Sequence, residues 1–569
     1  MRFWLALTLF VGGLVASTVG LVNQIENTPV DRISLTERLE IQTTYLFLPA
    51  SLLSAYQAPV TVEARGADVF IASARDVDIL GWLADSPFVE LRLTVNQAEE
   101  QASLIELNRS GAGELSDPRG SDTWREEFTA SGTLSIEPVQ DGETGLLIAA
   151  SGIDLAPRLV SIEWDLPSQA VPVAPVTYVG FGLMALGSLL GIWVAFDKWQ
   201  KQRARRSGTG VRRPKRRPPR RAVSQAGPDL RRGRRAARPV AFIGAALLAG
   251  TLTGCTAEYQ NPVLSPSPIP APELITAAIT KDQGIRILEQ VAQVIATADE
   301  NLDRESLELR VAGPALETRR FAYNLARRFE EEDRTPDPIL SDPIQLFLPP
   351  ATDTWPRTMV IVSGDQSPQL LILRQGSPRD VFKLYQYMSL LPEIEFPEVA
   401  AETVGASQLK QDSLFLKVSP SVLAEATGDL LNNGPNSSWA ELIDPENQYI
   451  QDLSGVQRAL VESLDNANLS FDHEMSDFPL VLVSTADGGA LAGIYMIDTY
   501  TIIPREPGDA VAISGDEAVL LGSAGSATGI ETRYGAMLLF HIPAAGSESP
   551  IRLLGATQQL LTAEILGNQ

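Results

Sequence analysis

Cysteine is almost missing from this chain. Cys255 is the single one in 569 residues, which excludes an intramolecular disulfide and a zinc site built from cysteines. Histidine is nearly as scarce: His473 and His541 stand alone, too few for a histidine-rich metal centre. There is no G-x-x-x-x-G-K-S/T, H-E-x-x-H, C-x-x-C or G-x-S-x-G, so no phosphate loop, zinc protease, redox dithiol or nucleophile elbow is signalled. Positive charge is in deficit too, with 46 Lys and Arg against 70 Asp and Glu and a net charge of −24. The deficit is uneven. Residues 197–238 hold 17 Lys and Arg against two Asp, a local +15 that leaves −39 for the remainder. Such segregation suits a chain whose parts occupy different compartments.

Three uncharged apolar runs are present. Residues 3–22 form the first, 20 residues without a charge, long enough to span a bilayer. It exceeds the h-region of a cleaved signal and lacks a clean Ala-x-Ala site, so a retained anchor is expected over residues 1–22. The second, residues 171–196, carries Tyr178 and Trp193 where interfacial aromatics sit and is closed by Lys198. The basic segment that follows, 197–239, marks the cytoplasmic side, which puts residues 23–170 outside. The third run, 240–254, has only 15 residues, short for a spanning helix but right for a signal h-region. It follows a basic stretch and ends in Leu252-Thr253-Gly254-Cys255, which resembles the lipobox of bacterial lipoproteins. That resemblance implies lipidation at Cys255, with two acyl chains sufficient for stable anchoring. Whether the chain is cut before Cys255 is left open by the sequence.

Residues 23–170 alternate short β-rich runs (60–64, 69–73, 91–95, 133–136, 146–150 and 160–164) with turn residues, the pattern of an antiparallel sandwich interrupted by one helix at 76–84. Trp124 and Trp164 read as its core. Residues 256–274 form a Pro/Ser spacer. Apolar positions at Ile285, Ile287, Leu288, Val291, Val294 and Ile295 then predict a helix over 281–298 with Thr280 as its N-cap. Two later stretches mirror each other: Trp355-Pro356 leads through MVIVS to a turn and LLIL, and Phe478-Pro479 through LVLVS to a turn and LAGIYM. A second echo pairs 388–392 with 500–504. Two related α+β copies are therefore expected, at 275–400 and 401–569.

The motifs DVDILGWLA at 76–84 and DTWREEF at 122–128, followed by a spanning helix and a basic tail, resemble uncharacterised actinobacterial membrane proteins of the envelope. The tandem α+β region resembles the cystatin-like cone of nuclear transport factor two-like domains. The fold class expected is thus a multi-domain, membrane-anchored chain: an all-β sandwich-like domain between two transmembrane helices, then tandem cone-like α+β domains. A cone fold serves enzymes and binding proteins alike and assigns no activity.

Four stretches were weighed for chemistry. Asp472-His473-Glu474 with Asp477 puts an imidazole among carboxylates, but the stretch reads as polar loop before a strand. His541 reads as a packed strand residue. Residues 330–333 lack the alternation and glycine of a calcium loop and read as a helix end. Residues 522–529 lack dinucleotide-loop spacing and read as a hairpin loop. No catalytic, cofactor or metal residue is assigned. The expected function is non-catalytic binding or scaffolding in the bacterial envelope, with the large domains extracytoplasmic and the basic loop cytoplasmic. The alternative is an extracytoplasmic hydrolase using pocket carboxylates. Expected partners are membrane lipids and an envelope protein or cell-wall component, with no nucleic acid; oligomeric state is not legible.

Overall fold

The computed structural model describes residues 2–26, 31–40, 42–96, 101–166, 175–206, 266–272, 275–329, 334–444 and 447–567. The apolar run 240–254, Cys255, nearly all of the basic segment and residues 330–333 lie outside these residues. The chain divides into two compact units, one of residues 1–34, 95–102 and 163–266, the other of residues 35–94, 103–162 and 267–569.

In the first unit two helices, Arg2–Glu26 and Pro175–Arg206, pack along each other. Both are long and apolar enough to cross a membrane, over Arg2–Val22 and Val176–Arg203. The second runs on past the apolar run 171–196, helped by an ion pair between Lys201 and Asp197 one turn apart. Small residues let the backbones close up. A Cβ at Gly13 would lie 2.6 Å from the Gly180 carbonyl oxygen, and one at Gly187 2.9 Å from that of Ala6. Ala6, Gly13 and Gly20 on one helix, and Gly180 and Gly187 on the other, recur every seven residues, the repeat of a tight helix seam. The Ser17 hydroxyl, buried in that seam, donates to the Gly13 carbonyl at 2.6 Å and so needs no partner across it.

The β-rich part forms one eight-stranded sheet rather than the two stacked sheets of a sandwich. The reason lies in Val60–Arg75, a single 16-residue strand that absorbs both runs expected at 60–64 and 69–73. It pairs with Glu126–Ile136 along its length and, over its second half, with Thr144–Ala149 on the other edge, so one strand joins what would have been two sheets. The register shifts between Gly66 and Val69, which bends the strand. The helix Asp76–Leu83 sits where expected and buries Ile79, Trp82 and Leu83 in a core with Tyr45, Phe70 and Trp124. Trp164 is fully buried as well.

Residues 281–565 run through three helices and four strands, then through helices and strands again. The strands join into one nine-stranded sheet, so the two copies are halves of one body rather than separate domains. The halves meet where Lys383–Leu390 pairs with Arg552–Ile565, at Ser389 with Ala556 and Leu390 with Gly555. Strand pleating sorts the apolar side chains: Met359 and Ile361 face the helix Lys281–Asn301, while Val360 and Val362 enter a central core with Val481, Leu491, Tyr495 and Leu539 of the second half. Ala492, Ile494, Leu538 and Phe540 face the second half's helices. Helices thus cover both outer faces of a folded-over sheet, which explains strands apolar on both sides. The mirrored hairpins fall on like places, 357–363 turning into 369–375 and 481–484 into 490–504. Residues 388–392 and 500–504 end unlike strands: 388–390 close the strand after the hairpin, whereas 500–504 belong to the hairpin's own second strand.

Candidate functional site

The most heavily built polar region in the second unit is the seam between its β-rich part, residues 35–162, and the first half of its α+β part. Helix Asp76–Leu83 and the turn at 121–125 bring Asp78, Trp82, Asp122 and Trp124 to it, all from the DVDILGWLA and DTWREEF motifs. Asp122 is 3% exposed, accepts from Arg310 at 2.5 and 3.2 Å, and takes the Phe382 N–H at 2.7 Å. Its own carbonyl accepts from Gln283 at 2.6 Å. Gln283 is the residue whose backbone N–H Thr280 caps, so the helix start predicted from sequence also docks the seam.

A second cluster lies alongside. Asp78 accepts from both Arg75 and Arg357, and Arg75 reaches Asp353 at 3.1 Å and the Thr352 carbonyl at 3.1 Å. Arg357 is wholly buried; burial pulls its pKa down, opposed by Asp78. Its guanidinium stacks 3.8 Å from the centre of the Trp355 ring, and Trp355 lies so close to Gly81 that a Cβ there would come within 2.8 Å of the indole. Arg379 closes the seam with five acceptors. It donates to the carbonyls of Trp82 (2.8 Å), Glu114 (2.7 Å) and Leu83 (3.3 Å) and to the hydroxyls of Ser86 (2.7 Å) and Ser116 (3.2 Å).

The structure separates the imidazole of the 472–477 stretch from its carboxylates. His473 lies on strand Ala467–Met475 and points inward, its Nδ1 2.7 Å from Asp498, which also accepts from Gln558 at 2.6 Å. Pleating turns Glu474 to the opposite face, so imidazole and carboxylate do not act together. Glu474 and Asp477 instead line a cleft of about 430 Å³ with Glu317, Phe321, Phe478 and Arg533. His541 is buried 3.1 Å from Asp487, and burial lowers its pKa. Residues 522–529 end a short helix at Gly522 and form a two-stranded ribbon with Val511–Ala512. Among the described residues no three His, Cys, Asp or Glu side chains converge as metal ligands.

A second cleft, of about 590 Å³, lies within the β-rich part between Phe47, Phe88, Arg92 and Arg109. Asp76 opens onto it. Both of its oxygens accept the Ala50 N–H, at 3.0 and 3.1 Å, and burial raises its carboxyl to about 7.

The two motifs stand out in the sequence; the arginines they bind do not. Arg310, Arg357 and Arg379 stand at ordinary spacings in strands and loops, and only folding brings them to Asp78, Asp122 and the Trp82 carbonyl. The one legible signal was a Trp and an Asp together in each motif.

A family model described as Domain of unknown function (DUF8094) matches residues 275–565, slightly more than half of the 569 residues, and it runs through both halves of the nine-stranded sheet. No curated protein and no solved structure matches.

Proposed function

The chain belongs to the DUF8094 family, and from that premise we propose that it is a non-catalytic binding or scaffolding protein of the bacterial cell envelope, anchored in the cytoplasmic membrane with both large parts extracytoplasmic. The observation that carries this reading is the seam. Buried ion pairs such as Asp122 with Arg310 form only if residues 35–162 and 267–569 share one side of the membrane. Residues 35–162 lie between the two apolar helices, so crossing by both leaves the chain after Arg206 on the far side. Something between 207 and 266 must bring it back. The apolar run 240–254 is the stretch there able to do so, as a short crossing or as a lipoprotein signal that ends at Cys255.

A partner protein or cell-wall component suits this body better than a small ligand in cone pockets. The faces that would line such pockets are filled by each other's apolar side chains, Val360, Ile372, Leu491 and Met537 among them. The test is a pair of reporter fusions. Alkaline phosphatase, active only outside the cytoplasm, is expected to work when fused after Gln569 and to fail when fused after Leu230. Activity at Leu230, or none at Gln569, removes the proposed topology.

A further inference from the structure

We infer that residues 1–206 and 267–569 behave as two subunits held by the seam itself, which persists once formed without a continuous backbone between them. The inference rests on one part of the proposed function, that residues 35–162 and 267–569 share a side of the membrane, and adds to it. Each side of the seam has a core of its own: Tyr45, Phe70, Trp82 and Leu147 cluster on one, Ile287, Val291, Met359 and Leu371 on the other. Parts of one domain share a core; parts that meet as partners bring complete ones.

The seam's composition is that of a partner interface. Its centre is made of Arg and Trp, residues that dominate binding hot spots, in Arg310, Arg357, Arg379, Trp82, Trp124 and Trp355. Polar groups pair across it: Thr123 donates to the Pro378 carbonyl at 2.8 Å and Arg286 to that of Trp124 at 2.6 Å. Separation would leave Asp122, 3% exposed, facing no cation, so dissociation exposes costly groups on both sides at once. The matched family domain starts at residue 275, just beyond the connecting stretch 207–265, and leaves residues 35–162 out. The occupant of the arginine-bearing face is therefore the β-rich part of this chain, whether or not the backbone joins them.

The experiment uses the full chain with a site for a sequence-specific protease inserted after Gly208 and an affinity tag after Gln569. Purified in detergent and cut, the N-terminal fragment is expected to stay on the affinity resin with the C-terminal one. Arg379→Ala, which removes five cross-seam bonds from a partly buried side chain, is expected to speed release at least tenfold. Asp122→Asn tests the same face independently, should either variant fold poorly by circular dichroism. Immediate separation of the cut wild-type fragments overturns the inference and leaves the reporter topology intact. A cytoplasmic reporter at Gln569 with co-eluting fragments overturns the sidedness and leaves the inference standing.

Discussion

Two aspartates two residues apart meet opposite fates. Asp78 is buried between Arg75 and Arg357, so its charge is compensated and theirs depends on it. Asp78→Asn strands two buried guanidiniums and is expected to cost about 3–5 kcal/mol in chemical denaturation. Asp353→Asn, at the 44% exposed end of the same cluster, is expected to cost under about 1 kcal/mol. Equal losses would mean that the buried pairing adds nothing. Asp76, by contrast, forms no ion pair among the described residues. Burial, and behind it the charges of Glu90, Asp141 and Glu143, raise its carboxyl from 3.8 to about 7 against the pull of the Ala50 N–H. A carboxyl raised on folding favours the native state while protonated. Its contribution is full below pH 3.8 and is lost as pH rises through about 7. Asp76→Asn is expected to remove roughly 2–4 kcal/mol of that slope between about pH 4 and pH 8. Urea midpoints at several pH values measure it; an unchanged slope would assign the pH dependence elsewhere.

At the scale of elements, the helix pair makes the sharpest demand on sequence. Gly180 sits where a Cβ would lie 2.5 Å from the Ser17 backbone nitrogen, so Gly180→Leu must push the helices apart. With cysteines placed at Gly20 and Thr177, oxidative cross-linking is expected to fall severalfold in that variant, and Gly182→Leu, where a Cβ meets nothing, serves as the control. Undiminished cross-linking would show that the helices meet on another face. Elements were well read where a single period governs them. The helix capped by Thr280 follows from spacing and capping alone, and the helix expected at 76–84 stands at Asp76–Leu83. Sheet topology did not, because it depends on strand length and pairing: the junction of 60–64 with 69–73 into one strand turned an expected sandwich into a single sheet. The echo of 388–392 in 500–504 likewise reflects shared composition at strand ends. The seam was least legible, since its partners lie up to 297 residues apart, as Arg379 and Trp82 do, and no local pattern marks an arginine as awaiting a distant carbonyl.

At the scale of the whole molecule the open variable is the number of polypeptides. If the run 240–254 is handled as a lipoprotein signal, cutting before Cys255 releases a C-terminal product of about 34 kDa, the share of the 61.5 kDa chain carried by residues 255–569. An immunoblot against a C-terminal tag is expected to show that band in the parent and full-length protein in Cys255→Ala or under a lipoprotein signal-peptidase inhibitor. A full-length band in every lane would make the run a third membrane crossing and Cys255 incidental. The two outcomes differ in how the body is held. A lipid-bearing Cys255 would give residues 267–569 their own anchor through two acyl chains, additional to the helix pair proposed to anchor residues 35–162. Two anchored parts confined to one surface meet at a raised effective concentration, so seam strength and membrane attachment reinforce each other. On that argument, a seam variant such as Arg379→Ala should lose association in detergent well before it does in the intact membrane, where tethering to the same surface compensates for the bonds removed.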